Sequence, residues 1–261
     1  MQVVLLCGGQ GTRIRGEVAN VPKPMIPIGG YPILWHIMKI YSHHGHKDFI
    51  CCLGYKGWDI KQFFLNYQAF TSDFTVSLNQ STDIHYPALH DEAGWKVTLA
   101  DTGEAAQTGA RVQRIKKYVQ GDHFMLTYGD GVGDVDIAAL VRFHKQHGKA
   151  ATLTAVMPPG RFGDLELDGD RITSFKEKPQ ISGAVINGGY FVLSRKVFDY
   201  LDDREDLIFE REPLSRLAAD GQLMAYRHEG FWLPMDTYRE YQMLEKLWAG
   251  GKAPWKVWGR S

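Results

Sequence analysis

Short, near-continuous apolar runs alternate with longer amphipathic stretches through the first 157 residues of the chain. The runs at 2–7, 49–53, 74–78, 95–100, 123–128 and 151–157 predict strands, and several, such as FMLTY, carry no polar alternation. A strand covered on both faces reads this way, because neither side meets water. Between these runs, 32–44, 57–69, 110–119 and 135–147 predict helices. In the last, Val135, Ile137, Ala138, Leu140, Val141 and His144 form a stripe near the 3.6-residue period. The alternation predicts an α/β fold, a mixed and mostly parallel sheet flanked by helices, with ligands gathered at the carboxyl ends of the strands.

After residue 158 the texture changes. FGDLELDGDRITSFKEKP predicts a hairpin, with Leu165 and Leu167 alternating before a turn at 168–170 and Ile172 and Phe175 after it. A strand at 185–193, helices near 195–202 and 211–220, a strand at 222–228 and a closing helix at 237–249 complete the pattern. No Pro/Ser-rich linker or internal repeat divides the chain, so 1–261 is expected to form one domain. Its second part, 158–261, adds a β-rich substrate-binding portion.

Composition narrows the function classes. The 261 residues hold 30 Lys plus Arg against 30 Asp plus Glu, and 44% are hydrophobic. A zero net charge argues against a surface built to coat nucleic acid or an acidic membrane. Cys7, Cys51 and Cys52 are odd in number, two are adjacent, and all sit in apolar runs, so they are expected to be reduced and buried. The first apolar run is too short for a signal peptide, and no stretch of about 18 apolar residues occurs. A cytoplasmic protein without a membrane span is expected.

The first strand runs directly into GGQGTR at 8–13. Gly8, Gly9 and Gly11 allow a sharp turn whose N–H groups can approach an anion, and Arg13 adds a planar donor fork suited to phosphate. A Walker A loop is excluded because no Gly-Lys-Ser/Thr follows, and Ile14 stands where a dinucleotide fingerprint needs Gly. In VPKPM, Pro22 and Pro24 stiffen the backbone around Lys23. Asp130, at the end of FMLTY, is placed to hold Mg2+ on bound phosphates. Asp236 reads by pattern alone as the N-cap of the helix after it. His43, His44 and His46 flank Gly45 at a helix end, where imidazolium complements the helix dipole. Trp248, Trp255 and Trp258 are expected to pack on the body or on a neighbouring subunit.

GGQGTR, PKPM and IGGYPILWHI resemble the opening of the sugar-1-phosphate nucleotidyltransferases. GYKGWDIKQFF, TYGDGVGD, PPGRFG, FKEKP, INGGYFVL, FWLPMDT and KAPWK extend the resemblance along nearly the whole chain, nearest to the glucose-1-phosphate cytidylyltransferases. One departure is Val21, where family members often carry Lys; Lys23 is kept.

The resemblance implies a Rossmann-like fold of the nucleotide-diphospho-sugar transferase type. It implies transfer of a cytidylyl group from CTP to α-D-glucose 1-phosphate with Mg2+, giving CDP-glucose and pyrophosphate, in a homo-oligomer. Lys23, Arg13 and Asp130 would be catalytic. Leu6, Cys7, Gly8, Gly9, Gln10, Gly11, Thr12, Arg13, Lys23, Thr108, Gly109, Arg111 and Gly129 would bind the nucleotide. Gly163, Glu177, Lys178, Asn187, Gly188 and Trp232 would bind the sugar phosphate, and Asp130 and Asp236 the metal. Arg111, a donor-only group, suits the O2 and N3 acceptors of cytosine and opposes the N3–H of uracil. The alternatives are another NTP, such as UTP, another sugar phosphate, or a catalytically silent subunit of the same fold.

Overall fold

The computed structural model describes residues 1–9, 21–78, 82–87, 90–158, 164–168, 171–176 and 185–259. Its centre is a seven-stranded sheet of β1 (Val3–Leu6), β2 (Asp48–Leu53), β3 (Lys96–Asp101), β4 (His123–Tyr128), β5 (Ala151–Val156), β6 (Ile186–Ser194) and β7 (Leu223–His228). The strand order is β7-β5-β6-β4-β1-β2-β3. Six strands point the same way; β6 is antiparallel to both of its neighbours. Strands from either side of residue 158 therefore share one sheet.

Burial on both faces explains the continuous apolar runs. Val3 and Leu5 of β1 pack into one core with Cys51, Met125 and Val192, while Val4 and Leu6 pack into the other with Cys52, Leu126 and Phe191. All three cysteines are free and buried. Chain order reverses at β1, whose neighbours are β2 and β4, so the crevice outside the carboxyl ends of β1 and β4 is the switch point where such sheets bind ligands. Among the described residues, no helix is long and apolar enough to cross a membrane.

The helices cover the sheet: α1 (Ile33–His43), α2 (Gly57–Leu65), α3 (Thr108–Arg114), α4 (Ile137–His147), α5 (Glu212–Ala219) and α6 (Tyr238–Ala249). Several boundaries differ from expectation. The run 110–119 is helical only as far as Arg114; beyond it, Lys116 N–H and Tyr118 N–H bond three residues back and wind the chain into turns. The segment 195–202 forms a 3-10 helix, Arg195–Tyr200. Thr75–Leu78 is a strand but lies outside the main sheet, paired with Thr82–His85. The hairpin expected from 162–179 is present as Asp164–Asp168 paired with Arg171–Lys176.

The C-terminal tryptophans pack on α1. Trp255 is 0% exposed and its indole Nε1–H donates to His36 Nδ1, while the rings of Trp248 and Trp258 lie against the same imidazole. His36 Nε2 is 2.8 Å from the Ile28 carbonyl, which makes the neutral ring with Nε2 protonated the fitting form. Burial pushes the His36 pKa down to about 4. In the unfolded chain His36 takes up its proton near pH 6.5, so this contribution is complete above that pH and is lost as pH falls towards 4. The loss is expected to reach roughly 3 kcal/mol. Thermal unfolding scans from pH 7 to 4.5 should show a falling midpoint, and a steadily shallower fall in His36→Gln.

Candidate active site

A ribbon of two three-residue strands builds the site. Gly131–Gly133 pairs antiparallel with Trp232–Pro234, Gly131 opposite Pro234, and Met235 N–H donates to the Asp130 carbonyl at 2.8 Å. Asp130 and Asp236, far apart in sequence, thus leave the same end of the ribbon. The cap of α6 is Thr237, not Asp236: its hydroxyl accepts from Glu240 N–H, and the Glu240 carboxylate accepts in return from the Asp236 and Thr237 N–H groups. This capping box releases the Asp236 side chain for other work.

Lys23 reaches into that place. It opens a single 3-10 turn, Lys23–Met25, after Pro22, and Pro24 is buried beneath it. Its Nζ donates to Asp130 Oδ2 at 2.5 Å and to Asp236 Oδ1 at 2.6 Å. The side chain of Lys23 is 14% exposed, against 30% for Asp130 and 32% for Asp236. Burial alone would lower the ammonium's pKa, but attraction and hydrogen bonds to the two carboxylates outweigh it and hold the pKa above its ordinary value.

These three side chains lie on a cleft of about 510 Å³ at the sheet's switch point. Leu6, Gly8, Gly9, Thr108, Arg111 and Gly129 also line it, as do Pro24, Glu104, Ala105, Ala106, Gln107 and Tyr128. Cys7 is buried just behind, with hydrogen bonding to Cys51 and burial raising its thiol well above the ordinary value. Gly109 is buried on α3 against Leu207.

Arg111 is 4% exposed and ties the floor of the cleft together. Nη1 donates to the Leu53 carbonyl and to Thr102 Oγ1, both at 2.8 Å; Nη2 donates to the Gly8 and Glu104 carbonyls, both at 3.2 Å. The guanidinium lies between two glycines. A β-carbon on Gly8 would stand 2.2 Å from Arg111 Cζ, and one on Gly54 2.5 Å from its terminal nitrogens. Gly8 therefore has a packing reason to be glycine besides the phosphate-loop reason read from the sequence.

Asn187, Gly188 and Trp232 form a separate cluster near Tyr128. Asn187 Nδ2 donates to Tyr128 Oη at 3.0 Å, and Trp232 Nε1 donates to the Gly188 carbonyl at 2.7 Å. Gln10, Gly11, Thr12, Arg13, Gly163, Glu177 and Lys178 lie outside the described residues. Glu104–Gln107 and Tyr128 were missed as cleft residues. Tyr128 could have been found, since it directly precedes Gly129 and Asp130 at the strand's carboxyl end.

Residues 2–242 match the nucleotidyl transferase family. The chain belongs to that family. Over 260 residues this nucleotidyl transferase is 52% identical to the glucose-1-phosphate cytidylyltransferase of Salmonella typhi, covering 99% of this chain and 100% of that one. In fold it is similar to HddC from Yersinia pseudotuberculosis, with a TM-score of 0.69 at 23% identity over 95% of this chain and 99% of that one. It is also similar to a UDP-glucose pyrophosphorylase solved with UDP-glucose, with a TM-score of 0.68 at 12% identity over 96% and 98%.

The donor set of the transferase fits a hard divalent cation. Two carboxylates already share one cation, the Lys23 ammonium, and Asp130 Oδ1 and Asp236 Oδ2 lie outside that contact. Mg2+ commonly takes one or two protein carboxylates and completes its shell with phosphate oxygens and water.

Proposed function

We propose that this nucleotidyl transferase moves the cytidylyl group of CTP onto α-D-glucose 1-phosphate, releasing pyrophosphate. The observation that carries the reading is the Lys23 ammonium held between Asp130 and Asp236 in the cleft where β1 and β4 end. The nucleotide and sugar are taken from the name of the 52% identical relative.

The sugar phosphate has its second pKa at roughly 6, so at neutral pH it is an ionised nucleophile that needs no general base. The barrier lies in bringing two polyanions together and in the charge at the pentacoordinate phosphorus. Lys23 meets this charge at the point of attack, and its position between carboxylates keeps it protonated. Asp130 and Asp236 would hold Mg2+, whose positive charge on the phosphate oxygens lowers the cost of attack. The Gly8–Arg13 segment is assigned to the departing β- and γ-phosphates. Glu177 and Lys178, with Asn187, are assigned to the sugar phosphate.

Base selection is assigned to Arg111 Nη2, whose two 3.2 Å bonds are longer than the pair anchoring Nη1 and lead to cleft-lining residues. Cytosine O2 and N3 can replace the Gly8 and Glu104 carbonyls as acceptors, whereas uracil N3–H cannot accept. The ratio of kcat/KM for CTP over UTP is therefore expected to fall at least about ten-fold in Arg111→Ala, because a lost donor-to-acceptor match inside a buried site costs that much discrimination. An unchanged ratio removes Arg111 from base selection.

The reaction itself is tested by pyrophosphate release over a panel of NTPs and sugar 1-phosphates, with and without Mg2+. Highest kcat/KM with CTP and glucose 1-phosphate is expected. A preference for UTP would move the enzyme to uridylyl transfer, and no release with any pair would make it a silent subunit.

A further inference from the structure

Glu210 lies on the loop before α5, outside every motif that marks the family resemblance. Its two carboxylate oxygens each accept one short hydrogen bond. Thr108 Oγ1 donates to Oε2 and Tyr128 Oη donates to Oε1, both at 2.6 Å. Both donors line the cleft, Thr108 at the start of α3 and Tyr128 at the carboxyl end of β4.

The chain of bonds continues on each side. Thr108 Oγ1 also accepts from Phe209 N–H, and the N–H groups of Gln107 and Gly109 donate to the carbonyls of Glu205 and Leu207. The loop carrying Glu210 therefore closes the N-terminus of α3. On the other side, Tyr128 Oη accepts from Asn187 Nδ2, and Asn187 Oδ1 accepts from Gly189 N–H. Gly189 has a φ of +80°, and a β-carbon there would lie 2.6 Å from the Tyr128 ring. The ring is thus fixed by packing and its hydroxyl by one donor and one acceptor.

The two oxygens of one carboxyl group thus serve as acceptors for two hydroxyl donors at once.

We infer that Glu210 is a positioning residue: it accepts one hydroxyl from the nucleotide wall and one from the sugar wall, and so fixes the distance across which the two substrates meet. This rests on the reading above only for the choice of substrates and for placing the sugar near Asn187. Glu210→Gln keeps the shape but puts an N–H donor against one of the two hydroxyls. Tyr128→Phe keeps Glu210 and the ring but removes the link between the walls.

The test is a double-mutant cycle on the full chain with Mg2+, measuring kcat, KM for CTP, KM for glucose 1-phosphate and the unfolding midpoint. Each single variant is expected to lose about ten-fold in kcat, as misplacement of reacting groups does. The double variant is expected to be no worse than the worse single one, because both break the same link. The inference is overturned if kcat stays within about two-fold while only the midpoint falls, or if the two losses multiply. Should Glu210→Gln fail to fold, Tyr128→Phe decides alone: unchanged kinetics overturn the inference, and an about ten-fold lower kcat at an unchanged midpoint supports it. A wild-type chain that turns over a different substrate pair overturns the substrate assignment only, and the cycle is then run on that pair.

Discussion

Lys23→Met is expected to lower kcat for pyrophosphate release by about 10²–10³-fold, the usual result of removing a preorganised charge from a developing anion. The effect should fall mainly on kcat, because the ammonium's contact strengthens as charge builds on the phosphorus. The same variant has a second signature that does not depend on turnover. It leaves Asp130 and Asp236, which both contact Nζ, facing each other without their cation. Like charges at that separation destabilise the fold, and a divalent cation relieves them. The unfolding midpoint of Lys23→Met should therefore lie below wild type without Mg2+ and rise more than wild type when Mg2+ is added. Normal turnover would remove Lys23 from the catalytic step; lost turnover without a larger Mg2+ response would remove the two carboxylates from metal binding.

Gly8→Ala is expected to damage folding as well as activity, and this separates two reasons for a glycine at that place. If Gly8 served only to bring a backbone N–H to phosphate, a methyl group would cost affinity and leave stability nearly intact. The added carbon instead falls 2.2 Å from the Arg111 Cζ, and Gly54 blocks retreat on the other side. The guanidinium must move, and its four bonds to Leu53, Thr102, Gly8 and Glu104 go with it. Overpacking together with partly unsatisfied buried donors costs about 3 kcal/mol or more. In a chain of this size that is a fall of roughly 6 °C or more in Tm, readable by calorimetry. A variant that unfolds like wild type but binds CTP weakly would restore the phosphate-loop explanation as the whole account.

The inner strands of the central sheet were legible because they are buried on both faces and so announce themselves without alternation. The runs around Val3–Leu6, Asp48–Leu53 and His123–Tyr128 came through within a residue or so. The site was legible in pieces. Lys23, Asp130 and Asp236 each stood in a short motif, but Asp236 alone looked like a helix cap, and only the resemblance moved it into the site. What hid its role is the ribbon of Gly131–Gly133 with Trp232–Pro234, too short and too glycine-rich to show any period. The true cap was spelled out as Thr237 followed three residues later by Glu240, a pattern that would have freed Asp236 on physical grounds. The strand Thr82–His85 escaped because its residues, TDIH, are mostly polar. Glu210 escaped altogether: a carboxylate in a charged loop has no sequence mark that says two hydroxyls point at it.

Trp255 and His36 touch across 219 positions of chain. A nascent polypeptide emerging from the ribosome therefore exposes α1 long before its indole partner is made, and the imidazole waits in an unfinished socket. This part of the core therefore closes only once position 255 has been synthesised, however early the strands and helices before it are made.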